Sequence, residues 1–249
     1  MNRLLTWKTK IGILLVGLSL ALALVHVAIF RDPRTFAFYL ALDIAFVPIQ
    51  VLLVTLIIEQ LLNQREKQAL LYKLNMVIGA FFSQLGAELL RRIVRFCAEA
   101  PDLAQSLAVT GQWSQKEFQA ATRLAEQAQY HLNPNASELE SLRDFLLEQR
   151  PFVLGLLQNP NLLEHEAFTD LLWALTHLTE ELVARPGFAE LPATDLAHLG
   201  NDAGRAFGLL IREWLAYLQH LRDAYPYIYS LALRTNPFLP QASAVVLQG

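Results

Sequence analysis

The stretch that decides the fold is IGILLVGLSLALALVHVAIF, residues 11–30, which carries no formally charged residue. As an α-helix with a rise of about 1.5 Å per residue, it would be about 30 Å long, the thickness of the hydrocarbon core of a bilayer. A second apolar run, residues 36–58, follows after a short polar link and is interrupted by Asp43, Pro48 and Gln50. The two runs predict a transmembrane helical hairpin, with spans at about 11–30 and 36–58.

A cleavable signal peptide is the competing interpretation of the first run. Basic residues precede it, and residues 21–23, Ala-Leu-Ala, have the small-residue pattern of a cleavage site. The apolar run continues past that site, however, and the second run follows at once. The sequence therefore favours two membrane spans over a leader.

Basic residues near the ends of the spans predict the orientation of the hairpin. The link contains two of them, Arg31 and Arg34, whereas three flank it on either side: Arg3, Lys8 and Lys10 before the first span, and Arg65, Lys67 and Lys73 after the second. The excess on the outer flanks predicts that both termini are cytoplasmic, in a bacterial inner membrane. A single cysteine, which excludes an intramolecular disulfide, fits a reducing compartment.

Two polar residues of the second run, Asp43 and Gln50, are seven residues apart and so share a helix face. A carboxylate within a membrane is costly unless it is solvated or paired, so this face is expected to contact protein or water. In one interpretation Asp43 lies near the start of the helix, within reach of the headgroups or of Arg31 and Arg34, while Gln50 holds neighbouring helices together. In the other the two side chains line the pore of an oligomeric, cation-selective channel. Helix packing is the favoured interpretation, because it is the commoner use of such residues.

After residue 58 the pattern predicts one long amphipathic stalk helix, residues 59–100, with no helix breaker before Pro101. Apolar residues recur at spacings of three and four from Leu71 to Phe96, which favours packing of this stripe against other helices. Arg91, Arg92 and Arg95 lie beside the stripe and are candidates for contact with anionic lipid headgroups. A solvated face is the commoner explanation of such a cluster.

The remainder, residues 101–249, predicts an acidic, all-α cytoplasmic domain. From residue 99 to the end there are nine basic and eighteen acidic residues, a net charge of −9, which excludes nucleic acid as a partner. The pattern Ser-x-x-Glu at 114–117 and 137–140 predicts capping boxes for helices near 115–131 and 138–149, with a kink or a restart of the second helix at Pro151. Two longer helices are expected at about 161–185 and 194–224.

Candidate metal ligands occur in this domain. Asp195, His198 and Asp202 follow one another at helical spacing, and Glu166, Asp170, His177 and Glu181 share a face of the preceding helix. Bundles that bind metals carry such Asp/Glu-x-x-His pairs on two helices, but this chain has only one. A solvated helix face is therefore the favoured interpretation, and no metal or other cofactor is predicted. No catalytic residue is predicted either, because the chain has no Gly-x-Ser-x-Gly or Gly-Lys-Ser/Thr pattern.

Near the C-terminus, Tyr225, Tyr227 and Tyr229 alternate with other residues in the segment YPYIYSLALRTNPFLP, residues 225–240. Aromatic side chains with polar tips suit surfaces that are half exposed to water. The segment is expected either to close the helical bundle or to dock a partner.

Together these patterns predict an all-α protein in which a two-span hairpin continues through a stalk helix into a cytoplasmic helical bundle. The favoured function is a non-enzymatic, membrane-anchored scaffold or regulatory subunit that forms homo-oligomers and binds a protein partner through its cytoplasmic domain. The alternative is an oligomeric ion channel with Asp43 and Gln50 facing its pore. A membrane-bound metalloenzyme is the third hypothesis. The expected partners are the lipid bilayer, further copies of the chain and another protein.

Overall fold

The computed structural model describes residues 2–246, and the side chains of all of these except 2–6, 8, 163 and 164. Arg3 and Lys8, two of the residues that predicted the orientation, have side chains outside this described set. The described residues form helices and no strand, apart from an isolated bridge between Cys97 and Leu132. The all-α prediction is therefore confirmed. Two compact units divide the chain, Met1–Glu66 and Lys67–Gly249.

The first unit is a helical hairpin of α1, Asn2–Phe30, and the start of α2, Pro33–Phe81. The chain reverses over Arg31, which adopts a positive φ of 50°, and Asp32. The Asp32 carboxylate accepts hydrogen bonds from the backbone N–H and the hydroxyl of Thr35, at 3.1 and 2.7 Å. Pro33 fits the first helical position of α2, and Asp32 caps this helix. The link therefore has two residues outside the helices instead of the five expected.

Within this unit α2 runs through Pro48 without interruption. Both helices are long and apolar enough to cross a membrane, and none of their most apolar segments is buried within the chain. The rings of His26 on α1 and Phe36 on α2 lie 5.6 Å apart at the end where the hairpin turns.

The second unit, called the helical domain below, contains the end of α2 and seven further helices among the residues that the structure describes. These are α3 Ala87–Ile93, α4 Ala100–Ser106, α5 Gln115–Gln127, α6 Ala136–Leu157, α7 Glu166–Val183, α8 Ala193–Ala224 and α9 Pro226–Arg234. Shorter turns lie at Phe82–Gly86, Val94–Phe96 and Pro160–Glu164.

Capping explains where two of the helices begin. The capping box predicted at Ser114 and Glu117 is present at the start of α5. The second box was placed two residues late, because Asn135 and Glu138 cap α6 and not Ser137 and Glu140. α6 also continues through Pro151, where the sequence suggested a kink or a restart of the helix. The carbonyl that Pro151 leaves without a helical donor belongs to Leu147, a residue that is 44% exposed.

The end of α2 belongs to the core of the helical domain. Residues 67–100 of the predicted stalk helix group with the helical domain, and the apolar stripe from Leu74 to Phe96 is buried, as the packing interpretation expects. A π-helical turn, Phe82–Gly86, lets Phe81 pack edge-on against Phe168 and Phe82 stack on Tyr217, with ring centroids 5.1 and 5.0 Å apart. A Cβ on Gly86 would lie 2.6 Å from the Phe82 ring, so glycine permits this arrangement.

The central element of the domain is α8, which packs against α3, α5, α7 and α9. Its buried face includes Leu199, Phe207, Leu210 and Trp214. The segment between α5 and α6 crosses this helix so closely that a Cβ on Gly200 would lie 2.5 Å from the carbonyl oxygen of Leu132. The packing of α7 against α8 brings together the polar residues described next.

Candidate functional site

The hairpin presents its apolar side chains outward. Leu24, Phe38 and Ile44 are typical of many large apolar residues on α1 and the start of α2 that are exposed. Asp43 and Gln50, predicted to share a polar face, are exposed as well. Within the part of the chain that the structure describes, nothing covers this apolar surface. A lipid phase or other protein chains would have to cover it, because burying apolar area is strongly favourable in water.

The three arginines proposed for lipid contact differ in their surroundings. Arg91 and Arg92 both bind the carboxylate of Glu88, and the Arg92 guanidinium lies over the Phe145 ring at 4.4 Å from its centroid. Arg92 also donates to the hydroxyl of Ser141 at 3.0 Å. Arg95 is the exposed member of the three. Two of the three cations are therefore engaged within the domain.

The tyrosines near the C-terminus also separate into different environments. Tyr229 is buried and its hydroxyl donates to the carbonyl of Thr110 at 2.9 Å. Tyr227 is 74% exposed, and Tyr225 precedes the first turn of α9. The buried Asn236 amide donates to the carbonyl of Leu107 at 2.8 Å. These contacts fix the segment against the domain and leave Tyr227 as its most exposed aromatic side chain.

Of the three residues considered as metal ligands, Asp195 is engaged by an arginine. The guanidinium of Arg185, just after α7, donates to both carboxylate oxygens of Asp195 at 2.7 Å. Arg185 also donates to Oε2 of Glu181 at 2.8 Å. Hydrogen bonds from Arg185 lower the pKa of Asp195. Asp195 therefore belongs to an ion pair that joins the residues just after α7 to the start of α8, with both of its carboxylate oxygens bound by Arg185.

The other two candidates, His198 and Asp202, lie one turn apart on α8 and face His177 and Glu181 on α7. Nε2 of His177 and Nε2 of His198 lie 3.3 and 3.4 Å from the same oxygen of Asp202, Oδ2. Nε2 of His198 lies 3.5 Å from Oε2 of Glu181. We call these four residues the His–carboxylate cluster. They offer two imidazole nitrogens and two carboxylates, a donor set that could hold a divalent cation.

The sequence pattern of this cluster is divided between α7 and α8. His177 and Glu181 are four residues apart, as are His198 and Asp202, so each helix presents one imidazole and one carboxylate on one face. Both sets of residues were noted in the sequence, but a solvated helix face was the favoured interpretation of each. Which faces of α7 and α8 meet is decided by packing, and neither helix alone reveals it.

The lone cysteine has the properties of a structural residue. Cys97 is buried, and burial is the main reason that the pKa of its thiol is raised to about 12. Its Sγ lies 3.3 Å from Oε2 of Glu99. A thiol with so high a pKa is almost entirely protonated at neutral pH and is a poor nucleophile.

Comparisons with known proteins divide the chain into the same two regions. Residues 2–62 match a family model described as the N-terminal helical domain of MJ1433, and residues 70–234 match the C-terminal helical domain of uncharacterized protein MJ1433. Uncharacterized protein MJ1433 of Methanocaldococcus jannaschii is 43% identical to this chain over 228 residues, which cover 92% of each of the two chains. No solved structure matches the chain.

Proposed function

We propose that this chain, which belongs to the MJ1433 family, is a membrane-anchored, non-enzymatic scaffold. In this proposal the hairpin of α1 and α2 spans a bilayer, and the helical domain associates with a protein partner at the membrane surface. The observation that carries the proposal is the wholly exposed apolar surface of the hairpin, in a chain whose other unit has a closed core of its own.

The length and composition of the two helices support membrane insertion. Thr9–Phe30 is a 22-residue apolar segment, long enough to cross a hydrocarbon core of about 30 Å. The core helix of a soluble protein would be mostly buried, whereas these segments are 0% buried. The two-residue link suits a hairpin whose spans are antiparallel and adjacent.

Charge supports a protein partner for the helical domain rather than a lipid one. Anionic headgroups attract lysine and arginine, but the helical domain, residues 67–249, has 14 basic and 19 acidic residues, a net charge of −5. Two of the three clustered arginines are already paired with Glu88. The domain is therefore expected to be held at the membrane by the hairpin and to leave its own surface for protein contacts.

One surface of the domain has the composition of a protein interface. Arg150 on α6 and Glu180 on α7 lie 3.8 Å apart on its outside. Helical spacing places Leu147 and Leu154 beside Arg150, and Val183 and the 60% exposed Trp173 on the face of Glu180. We call this surface the Trp173 face. Because it carries one cation and one anion among apolar side chains, it is complementary to a second copy of itself in a two-fold dimer.

Cysteine labelling tests the hairpin in intact cells. In a Cys97→Ser background, Arg34→Cys lies near the link and Ala244→Cys lies near the C-terminus. With both termini cytoplasmic, a membrane-impermeant maleimide labels Arg34→Cys in intact cells and labels Ala244→Cys after lysis. Labelling of both positions, or of neither, in intact cells would contradict a spanning hairpin in this orientation.

Self-association is tested by the mass of the full chain in nanodiscs, corrected for lipid. We expect more than one chain per particle, and a fall toward one chain for the double variant Leu154→Ala and Trp173→Ala. Tyr227→Ala, which removes another exposed aromatic side chain, is the control and should leave the mass unchanged. A single chain per particle for the unsubstituted protein would contradict dimerisation through the Trp173 face.

A further inference from the structure

The His–carboxylate cluster lies where α7 and α8 pack along each other, and each helix supplies one imidazole and one carboxylate four residues apart. Residues at this spacing lie on one helix face, one turn above the other. The two pairs therefore converge from opposite sides of one helix–helix contact. All four residues are held on regular helices rather than on loops, which fixes the positions of their side chains.

The buried member of the cluster is Asp202, whose side chain is 4% exposed. Among the residues that the structure describes, its Oδ2 atom makes no hydrogen bond. Both imidazoles point Nε2 at this oxygen, yet neither contact has the geometry of a hydrogen bond. A buried carboxylate oxygen without a hydrogen bond is unusual in folded proteins, so a binding role would account for it.

Three contacts within the cluster have lengths that fit donor atoms around a shared cation better than direct hydrogen bonds. A charge-assisted N–H···O bond is normally about 2.7–2.9 Å long, shorter than the 3.3, 3.4 and 3.5 Å observed. In a tetrahedral site with bonds of about 2.0–2.2 Å, neighbouring donor atoms are about 3.3–3.6 Å apart. One donor atom from each of His177, Glu181 and Asp202 lies within 4.8 Å of the other two, a looser arrangement than donor atoms have around a bound ion. His198 is not part of this set of three and joins the cluster through its contacts with Asp202 and Glu181.

The nearby arginines leave Oδ2 of Asp202 free, whereas Arg185 donates to Oε2 of Glu181, the oxygen that lies 3.5 Å from Nε2 of His198. Arg205 approaches the other oxygen of Asp202, Oδ1, at 3.5 Å, and Arg185 binds Glu181 while its own charge is offset by Asp195. An arginine bound to a ligating carboxylate can orient it, as the outer contacts of metal sites commonly do. His177 and His198 are about half exposed, so the cluster is open to solvent on the side opposite the buried Asp202.

We propose that His177, Glu181, His198 and Asp202 bind one divalent first-row transition-metal ion, with Zn²⁺ as its representative. Two imidazoles and two carboxylates suit this class of ion, whereas Mg²⁺ and Ca²⁺ prefer sites made of oxygen alone. The ion joins α7 to α8 through side chains on both helices. The site is independent of the membrane hairpin, and its test does not depend on the proposed scaffold function.

The test is metal binding by the full chain in detergent, with any affinity tag removed. After equilibration with Zn²⁺ and removal of excess metal, elemental analysis should give one Zn²⁺ per chain. Co²⁺ should give the intense visible absorption bands of a tetrahedral site. Asp202→Asn should weaken Zn²⁺ binding by at least about 100-fold, since it removes the buried carboxylate that both imidazoles face.

Controls on the same helix distinguish this site from general binding by acidic or histidine residues. Asp223→Asn and His220→Gln should leave the stoichiometry and affinity unchanged. If Asp202→Asn does not fold, His177→Gln replaces it, because His177 is half exposed and its loss should weaken binding while leaving the helical circular dichroism unchanged. Less than half an equivalent of Zn²⁺, or equal binding by the ligand variants and the controls, would overturn the proposal.

Discussion

His131 binds Glu99 twice: its ring Nδ1 lies 2.6 Å from Oε1, and its backbone N–H donates to Oε2 at 3.0 Å. The contact joins the segment that follows α3 to the segment that precedes α6. The backbones of the same two segments are also paired: the Ala98 N–H donates to the carbonyl of His131, and the Asn133 N–H donates to the carbonyl of Phe96, both at 3.0 Å. Burial would raise the pKa of Glu99, but the side-chain and backbone hydrogen bonds from His131 lower it to about 2.

Glu99→Gln is expected to reduce the free energy of unfolding at pH 7 by about 1–2 kcal/mol. This free energy is smaller than the one that corresponds to the full pKa shift, because the His131 ring is mostly exposed and solvent screens its interaction with Glu99. A carboxylate whose pKa is depressed in the folded state stabilises the protein above its unfolded pKa of about 4.3. The difference between Glu99→Gln and the unsubstituted protein should therefore shrink as the pH falls from about 4.5 toward 2.

Chemical denaturation at several pH values measures this difference, with Glu190→Gln, an exposed position, as the control. A difference that stays constant from pH 7 to pH 2 would show that the Glu99 charge does not stabilise the domain.

Two glycines differ in the space around them, and this difference predicts opposite effects of replacing each with alanine. Gly200→Ala places a Cβ 2.5 Å from the backbone carbonyl of Leu132, so we expect a loss of about 1–3 kcal/mol. Gly155→Ala, on the exposed side of α6, meets no atom within 4 Å and should stabilise the protein by about 0.5–1 kcal/mol. Thermal unfolding followed by circular dichroism measures both. A stabilising Gly200→Ala would contradict the close packing at Leu132.

The helix ends that were predicted from the sequence depend on residues within one turn of the chain. The contacts that were not predicted depend on how the helices pack. The start of α5 follows from Ser114 and Glu117, and the end of α8 from Pro226, because caps and breakers act within one turn. The convergence of His177 and His198 on Asp202 depends on which faces of two helices meet. The apolar stripe that ends at Phe96 was recognised, but its periodicity does not identify the helices that cover it.

The buried Glu213 predicts a stabilising substitution. Its Oε2 atom has no hydrogen-bond partner among the described residues, and burial raises its pKa although Arg212 and His165 oppose this. A carboxyl whose pKa is raised on folding destabilises the protein at high pH. The loss of stability grows as the pH rises above about 4.3, the pKa of the carboxyl in the unfolded chain. Glu213→Gln should therefore increase the free energy of unfolding at pH 7 by about 1–2 kcal/mol and change it little at pH 4.

Urea denaturation of the two proteins at pH 4 and pH 7 measures this effect. Lower stability of Glu213→Gln at pH 7 would mean that the carboxylate is needed in its charged form, and would contradict this account.

The pore hypothesis for Asp43 remains a prediction with its own test. If the hairpin acts as an anchor, Asp43→Asn should leave the mass in nanodiscs unchanged, and liposomes containing either protein should show equally low cation flux. Asp43→Leu should insert at least as well as the unsubstituted protein, because it removes a charge from an apolar span. Cation flux that is present in the unsubstituted protein and lost in Asp43→Asn would favour the channel instead.

The most direct measurement of the central claim is the distribution of the full chain after membranes are washed with alkaline carbonate. A shortened chain that begins at Lys67, the start of the helical domain, is the matched control. If the hairpin spans the bilayer, the full chain stays in the membrane pellet and detergent releases it, while the shortened chain is soluble. Release of the full chain by the alkaline wash alone would contradict a membrane-spanning anchor.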